Sequence, residues 1–163
     1  MMIFDRTINP KVFTRWQHCL AFGLGSGLAR KAPGTWGTLA AVPFCCAAWW
    51  FLPAWLFALL LLVMMIFGVK LCGDVAHDLG VHDHGGIVWD EWVGYGIALF
   101  ALPLQWYWPV LAFVVFRLLD ILKPWPISWC DKNLHGGLGI MMDDVLAGAF
   151  SCLVLHGIRV FFA

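Results

Sequence analysis

Two pairs of adjacent acidic residues are the part of the sequence best suited to chemistry. Asp90-Glu91 and Asp143-Asp144 each lie where a polar segment leads into an apolar one. Carboxylates beside lipid are costly unless they are paired or bind a metal, so these pairs together with Asp120 indicate a shared cation. Oxygen ligands without thiolates or a spaced histidine pair suit Mg²⁺ or Mn²⁺ better than zinc. The alternative is helix capping, because a helix N-terminus also favours negative charge.

A second candidate group combines two cations with one carboxylate. Arg117, Asp120 and Lys123 follow one another at intervals of three residues. On a helix that ends before Pro124 they would lie on roughly one face. The guanidinium and ammonium groups are suited to phosphate oxygens. The alternative is a local ion pair that stabilises the helix end, with the cations extending towards lipid headgroups.

A glycine-rich segment, residues 22–37, is a third candidate. Its five glycines and one proline argue against a regular helix throughout. Backbone N–H groups of such a loop can bind phosphate when a helix begins directly after it. The segment lacks the Gly-Lys-Ser/Thr of a Walker loop. A tight loop that enters a membrane explains the pattern equally well.

The histidines are weaker candidates. His135 precedes two glycines and could supply a proton or contact phosphate from a flexible loop, although a lone loop histidine is otherwise simply solvated. The run His82-Asp83-His84 has the composition of a metal site, but adjacent residues do not converge easily on one ion. Asp83 is its most interesting member, because it lies seven residues before Asp90.

The composition indicates that these groups lie in a membrane protein. The chain is 62% hydrophobic and 12% charged, with a mean hydropathy of +0.83, whereas soluble domains are roughly 25% charged. Its net charge is zero and it has no basic stripe, which excludes nucleic acid as a partner. Residues 1–17 predict an N-terminal arm or interfacial helix without a cleavable signal peptide. Residues 18–163 are predicted to form one membrane-embedded domain.

The apolar segments predict an all-α, polytopic bundle of four to five membrane helices. The uncharged run 38–69 is long enough for two spans, with a turn at Pro53. The predicted spans are 37–52, 54–71, 92–104, 108–122 and 143–162; the first and third are short, and full crossing is left open for both.

The polar segments predict the orientation. Segments 1–36, 70–91 and 117–144 are separated by hairpins with uncharged turns, so they lie on one side of the membrane. Nine of the ten Lys and Arg residues belong to that side or its border, Arg159 being the exception. The positive-inside rule makes this side cytoplasmic and puts the C-terminus outside.

Five stretches resemble the phosphatidylglycerophosphatase A family of small bacterial inner-membrane enzymes. They occur in order over about residues 18–160, and the acidic positions show no departure. The stretches are Phe22-Gly-Leu-Gly-Ser-Gly-Leu, Ala32-Pro-Gly-Thr-Trp-Gly-Thr-Leu-Ala, Gly80-Val-His-Asp-His-Gly-Gly-Ile-Val-Trp-Asp-Glu, Phe116-Arg-Leu-Leu-Asp-Ile-Leu-Lys-Pro-Trp-Pro-Ile and Asp131-Lys-Asn-Leu-His-Gly-Gly-Leu-Gly-Ile-Met-Met-Asp-Asp.

The resemblance implies Mg²⁺-dependent removal of the terminal phosphate of phosphatidylglycerophosphate at the cytoplasmic face of the inner membrane. A metal would lower the charge on the phosphoryl oxygens and activate a water. A phospho-aspartate on Asp120 is the alternative to direct water attack. The expected metal ligands are Asp90, Glu91, Asp143 and Asp144, with Asp120 as a further candidate; the expected catalytic residues are Asp120, Asp90, Asp144 and His135; and the expected phosphate-binding groups are Arg117, Lys123 and the Gly34-Thr35 loop.

A small divalent-cation transporter or channel is the alternative outside enzymes, because membrane carboxylates also bind transported ions. The carboxylates cluster at one edge of the predicted bundle instead of along a span, which argues against an ion path. The sequence also lacks the signatures of CDP-alcohol phosphotransferases and of vanadium-type lipid phosphatases.

Overall fold

The computed structural model describes residues 9–81 and 84–162. All regular structure in these residues is helical, which confirms the predicted all-α class. The helices are α1 (Asn9–Thr14), α2 (Trp16–Ala21), α3 (Pro33–Phe51), α4 (Ala54–Leu79), α5 (Trp89–Ala98), α6 (Tyr107–Leu122), α7 (Ile127–Asn133) and α8 (Gly136–Phe162), with a 3₁₀ segment at Gly23–Leu28.

Two of these helices, α4 and α8, are long and apolar enough to cross a membrane. The predicted span 92–104 is too long, because α5 has 10 residues. At 1.5 Å per residue α5 extends about 15 Å, half of a bilayer core of about 30 Å. The predicted span 37–52 lies in α3, which has 19 residues. The structure therefore supports two candidate spans, fewer than the four to five predicted.

Helix α5 is the centre of the bundle. It packs most extensively against α8 and also contacts α3, α4 and α6. Its buried residues lie all round the helix, and the Tyr95 hydroxyl donates a hydrogen bond to the Pro109 carbonyl oxygen at 3.1 Å. A short helix buried on every side cannot tilt without moving its neighbours, so its first turn, with Asp90 and Glu91, is held in a defined place.

Glycines allow α8 to lie directly against α5 and α4. A Cβ atom on Gly148 would lie 2.3 Å from the Gly94 carbonyl oxygen, and one on Gly94 would lie 2.7 Å from the Asp144 carbonyl oxygen. At the start of α8, a Cβ on Gly137 would lie 1.7 Å from the Val69 carbonyl oxygen of α4. These close crossings determine where the acidic residues of α8 lie relative to α5.

We expect Gly148→Ala to destabilise the protein by about 1–3 kcal/mol, because its methyl group would overlap backbone. In a chain of this size that lowers the melting temperature by roughly 2–4 °C per kcal/mol. Gly157→Ala is the matched control on α8, because a Cβ there meets nothing within 4 Å. It should be neutral or stabilising, since alanine favours helix over glycine by about 1 kcal/mol. Equal melting temperatures for the two variants in detergent would contradict the close crossing.

The polar segment before α8 contains a helix that the sequence pattern did not predict. No helix was predicted between the spans 108–122 and 143–162, but α7 forms there and buries Ile127 and Cys130. Its apolar side packs against α8. Two buried residues in one short helix are too few for a periodic pattern to stand out.

Candidate active site

Arg117 links α6 to the first turn of α5. Its Nη1 lies 3.0 Å from Glu91 Oε1 and 2.6 Å from Asp120 Oδ2, and the three side chains are 10–14% exposed. The local ion pair that was the alternative explanation for Arg117 and Asp120 is therefore present, and it extends to a second carboxylate. Burial raises the pKa of Glu91 to about 8, although the Arg117 guanidinium opposes this shift.

Thr38 of α3 joins the same network. Its hydroxyl donates to the Gly34 carbonyl oxygen at 2.9 Å, and its Oγ1 lies 3.4 Å from Arg117 Nη1. Thr38 also lies 3.4 Å from Glu91 Oε2 and is fully buried. Sequence reasoning missed Thr38, although a threonine among apolar helical residues, one turn after the glycines, is the signal that could have identified it.

The glycine-rich loop reaches this network at the N-terminus of α3. A Cβ on Gly34 would lie 2.1 Å from Glu91 Oε1 and 3.0 Å from Arg117 Nη2, so only glycine fits without displacing them. Helix α3 begins at Pro33, earlier than predicted, and Thr35 N–H donates to the Ala32 carbonyl oxygen at 3.0 Å. The Thr35 N–H is thus engaged within the first helical turn, and the phosphate contact predicted for Gly34 and Thr35 stays a prediction.

Lys123 forms a second ion-pair centre at the C-terminal end of α6. Its Nζ lies 2.7 Å from Asp143 Oδ2 and also contacts Asp131 of α7. Burial lowers the pKa of Lys123, but its hydrogen bonds to the two carboxylates outweigh burial and raise it above the usual value. The ammonium group therefore stays charged at neutral pH. Asp131 was not among the predicted site residues, because α7, which carries it to Lys123, was not predicted.

The two predicted acidic pairs converge. Asp144 is 3% exposed, and its charge is repelled by the carboxylates of Asp90, Glu91, Asp120 and Asp143. Helix α8 starts at Gly136, so its acidic pair lies beyond the first turn. Capping therefore does not explain that pair, since a helix dipole acts within the first turn. The first-turn position of the α5 pair remains compatible with capping.

The oxygen atoms of this cluster have the chemistry of divalent-cation ligands but are not arranged as a finished metal site. Oδ1 of Asp143 and Oδ1 of Asp144 are buried and have no hydrogen-bond partner in the described part of the chain. Buried carboxylates that repel one another need a counter-charge, and an all-oxygen set suits Mg²⁺. As the side chains stand in residues 9–81 and 84–162, however, no three acidic, histidine or cysteine side chains are close enough to form a ready metal site.

The predicted histidines that the structure describes are His135 and His84, and each is hydrogen-bonded to nearby backbone. Nδ1 of His135 is hydrogen-bonded to the Asn133 carbonyl oxygen at 3.0 Å, in the connection between α7 and α8, and the side chain is exposed. His84 accepts a hydrogen bond from the Gly86 N–H at 3.0 Å and packs against Phe22. His82 and Asp83 lie outside the described residues. The proton-donor role of His135 stays a prediction.

Comparison with known proteins gives one consistent match. The family model described as phosphatidylglycerophosphatase A matches residues 19–159. The Escherichia coli (strain K12) phosphatidylglycerophosphatase A is 51% identical over 150 residues, which cover 90% of this chain and 84% of that protein. The Haemophilus influenzae protein of the same name is 46% identical over 143 residues, which cover 87% of this chain and 88% of that protein.

A third relative carries a different name. A Bacteroides thetaiotaomicron protein, described provisionally as a phosphatidylinositol-3-phosphatase, is 39% identical over 140 residues, covering 82% of this chain and 87% of that protein. No solved structure shows a significant match. All three relatives carry the name of a phosphatase that acts on a phosphatidyl lipid. Since the family model spans nearly the whole chain and all of the acidic and basic network, the chain belongs to the phosphatidylglycerophosphatase A family.

Proposed function

We propose that this chain removes the terminal phosphate of phosphatidylglycerophosphate in a Mg²⁺-dependent reaction, giving phosphatidylglycerol and inorganic phosphate. The observation that carries the proposal is the buried cluster of carboxylates around Asp144, with Arg117 and Lys123 at its edges. Family membership supports a phosphoric monoester hydrolase over a cation transporter or channel. The same carboxylates would repel a phosphate dianion unless a cation neutralised them.

The metal would be held by the acidic residues of α5 and α8. The proposed ligands are Asp90, Glu91, Asp143 and Asp144, and Asp120 is a further candidate. A bound Mg²⁺ would neutralise these carboxylates and polarise the phosphoryl oxygens. The unpartnered Oδ1 atoms of Asp143 and Asp144 support this assignment, because buried oxygens without a partner are otherwise destabilising.

The two cations would bind and orient the phosphoryl group. All the contacts described for Arg117 use Nη1, and its buried Nε has no protein partner in the described residues. That N–H is a donor left for a phosphoryl oxygen. Lys123 is held by Asp143 and Asp131, and Asp131 is the more exposed carboxylate of the two. A phosphate could replace Asp131 at the ammonium group without disturbing the buried side of the site.

The hydrolytic step transfers phosphorus from the lipid oxygen to water. A water oxygen forms the new bond to phosphorus and gives up a proton to a carboxylate of the cluster, while the bond to the glycerol oxygen breaks and the departing oxygen takes up a proton. His135 is the proposed proton donor. Asp120 could instead attack first and form a phospho-aspartate, but its Oδ2 is paired with Arg117 at 2.6 Å, which makes it a poorer nucleophile and favours direct water attack.

The site is proposed to lie at the cytoplasmic face of the bacterial inner membrane. Helices α4 and α8 supply two apolar lengths sufficient to cross a bilayer. The carboxylate cluster occurs in the third turn of α8, near the end that follows the polar segment. The acyl chains of the substrate could then stay in the lipid while its phosphate monoester lies at headgroup depth.

The test is phosphate release from phosphatidylglycerophosphate by purified protein in detergent, with Mg²⁺ and with EDTA. We expect release in Mg²⁺ that EDTA abolishes and that added Mg²⁺ restores. Phosphatidylinositol-3-phosphate should be assayed in parallel, because it separates the two lipid substrates named among the relatives. Folded protein that releases no phosphate in either condition would refute the proposal, and release unaffected by EDTA would refute its metal requirement.

A further inference from the structure

A cavity lies at the opposite end of the bundle from the acidic cluster. It has a volume of about 640 Å³ and lies between the start of α6 and the end of α8. Arg159 lines it and follows Asp144 by fifteen residues on α8, which is about 22 Å along the helix axis. In a chain that crosses a bilayer with α8, this cavity lies at the membrane surface opposite the proposed active site.

The only charged residue among the described residues that line this cavity is Arg159. Arg159 is exposed, and no ion pair joins it to any acidic side chain in the described residues. The turns at the same end of the bundle, residues 52–53 and 99–106, contain no Asp, Glu, Lys or Arg. An unpaired guanidinium at a lipid surface favours a phosphate, which it can contact through two parallel N–H groups.

The side-chain amide of Gln105, which also lines the cavity, is oriented by aromatic neighbours. Gln105 Oε1 accepts hydrogen bonds from Trp108 Nε1 at 3.0 Å and from the Tyr107 hydroxyl. Because the oxygen is occupied, the amide N–H groups are the part of Gln105 left to meet a ligand. Trp106 is 83% exposed beside it, as expected for an aromatic residue at a lipid–water interface.

We propose that this cavity binds the phosphodiester headgroup of an anionic phospholipid in the leaflet opposite the active site. Arg159 would contact the phosphate and Gln105 the neighbouring headgroup oxygens, while Leu111 and Ile158 cover the start of an acyl chain. No acidic side chain is among the described lining residues, so an ammonium headgroup finds no partner there. The proposal rests on the membrane placement proposed above and is independent of the catalytic assignment.

The test measures lipid binding to purified protein in detergent with EDTA, as the shift in melting temperature against lipid concentration. The probes are phosphatidylglycerol, phosphatidylethanolamine with the same acyl chains, and inorganic phosphate. We expect phosphatidylglycerol to bind more tightly than phosphatidylethanolamine and phosphate alone to give no shift. Arg159→Gln should weaken phosphatidylglycerol binding about fivefold, the effect of one cation near an anionic lipid surface. Arg159→Glu should reverse the preference between the two lipids.

Two controls separate this site from the rest of the protein. Lys70→Gln removes an exposed cation that is paired with Asp74 on α4 and should leave lipid binding unchanged. Asp144→Asn alters the proposed active site and should retain the preference for phosphatidylglycerol. The proposal fails if Arg159→Gln keeps the full preference, if Asp144→Asn abolishes it, or if inorganic phosphate alone reproduces the shift. Phosphate release by Arg159→Gln in detergent should equal that of the wild type, whichever way lipid binding turns out.

Discussion

Asp144→Asn is expected to abolish phosphate release and, in the absence of metal, to make the protein more stable. Asp144 is 3% exposed and is repelled by four neighbouring carboxylates, so removing its charge relieves repulsion in the folded state. The same change removes a proposed Mg²⁺ ligand. Loss of one preorganised electrostatic contact typically costs about 10²–10³ in kcat, and we expect at least that.

The measurement pairs phosphate release with melting temperature in EDTA and in Mg²⁺. Wild-type protein should be stabilised by Mg²⁺, and Asp144→Asn should have a higher melting temperature in EDTA but gain little from Mg²⁺. Asp74→Asn is the matched control, because Asp74 is an exposed carboxylate paired with Lys70 at 3.0 Å. It should behave as wild type in every condition. Wild-type activity in Asp144→Asn would remove this residue from the site.

Arg117→Gln is expected to lose both activity and stability. The guanidinium is the counter-charge of Glu91 and Asp120, at 3.0 and 2.6 Å, and all three side chains are largely buried. Removing one partner of a buried ion pair leaves the others uncompensated and typically costs about 3–5 kcal/mol. Activity should fall as well, because a proposed phosphate contact is lost. The two variants are thus predicted to share an activity defect and to differ in the sign of their stability change in EDTA.

Denaturant unfolding in detergent and kinetics on the same preparations test this prediction. Arg117→Lys keeps the positive charge but lacks the planar guanidinium group. Compared with Arg117→Gln, it should recover part of the lost stability and less of the lost activity. Arg30→Gln is the control for loss of an arginine, since Arg30 is exposed just before α3. A stability of Arg117→Gln equal to that of Arg30→Gln would show that the network around Arg117 contributes nothing to the fold.

The sequence alone identified most of the charged residues proposed for the site but not the way in which they meet. The acidic pairs, Arg117 and Lys123 stand out because charge is scarce in an apolar chain, and the i, i+3 spacing from Arg117 to Asp120 already predicts their contact. A contact between residues three positions apart follows from helix geometry alone, so a local pattern is enough to predict it. The all-helical class followed from the same local signals, since long apolar runs without a strand alternation favour helices.

The tertiary structure decided what depends on contacts between distant residues. Thr38 and Glu91 are 53 positions apart, and Asp131 reaches Lys123 only because α7 forms and packs on α8. Contacts at such separations follow from how helices cross, and here the crossing depends on Gly94 and Gly148 meeting backbone to backbone. The stability of the short helix α5 also depends on its neighbours. Its ten residues are too few to cross a bilayer, but they are buried on every side. No local sequence pattern specifies which helices bury them.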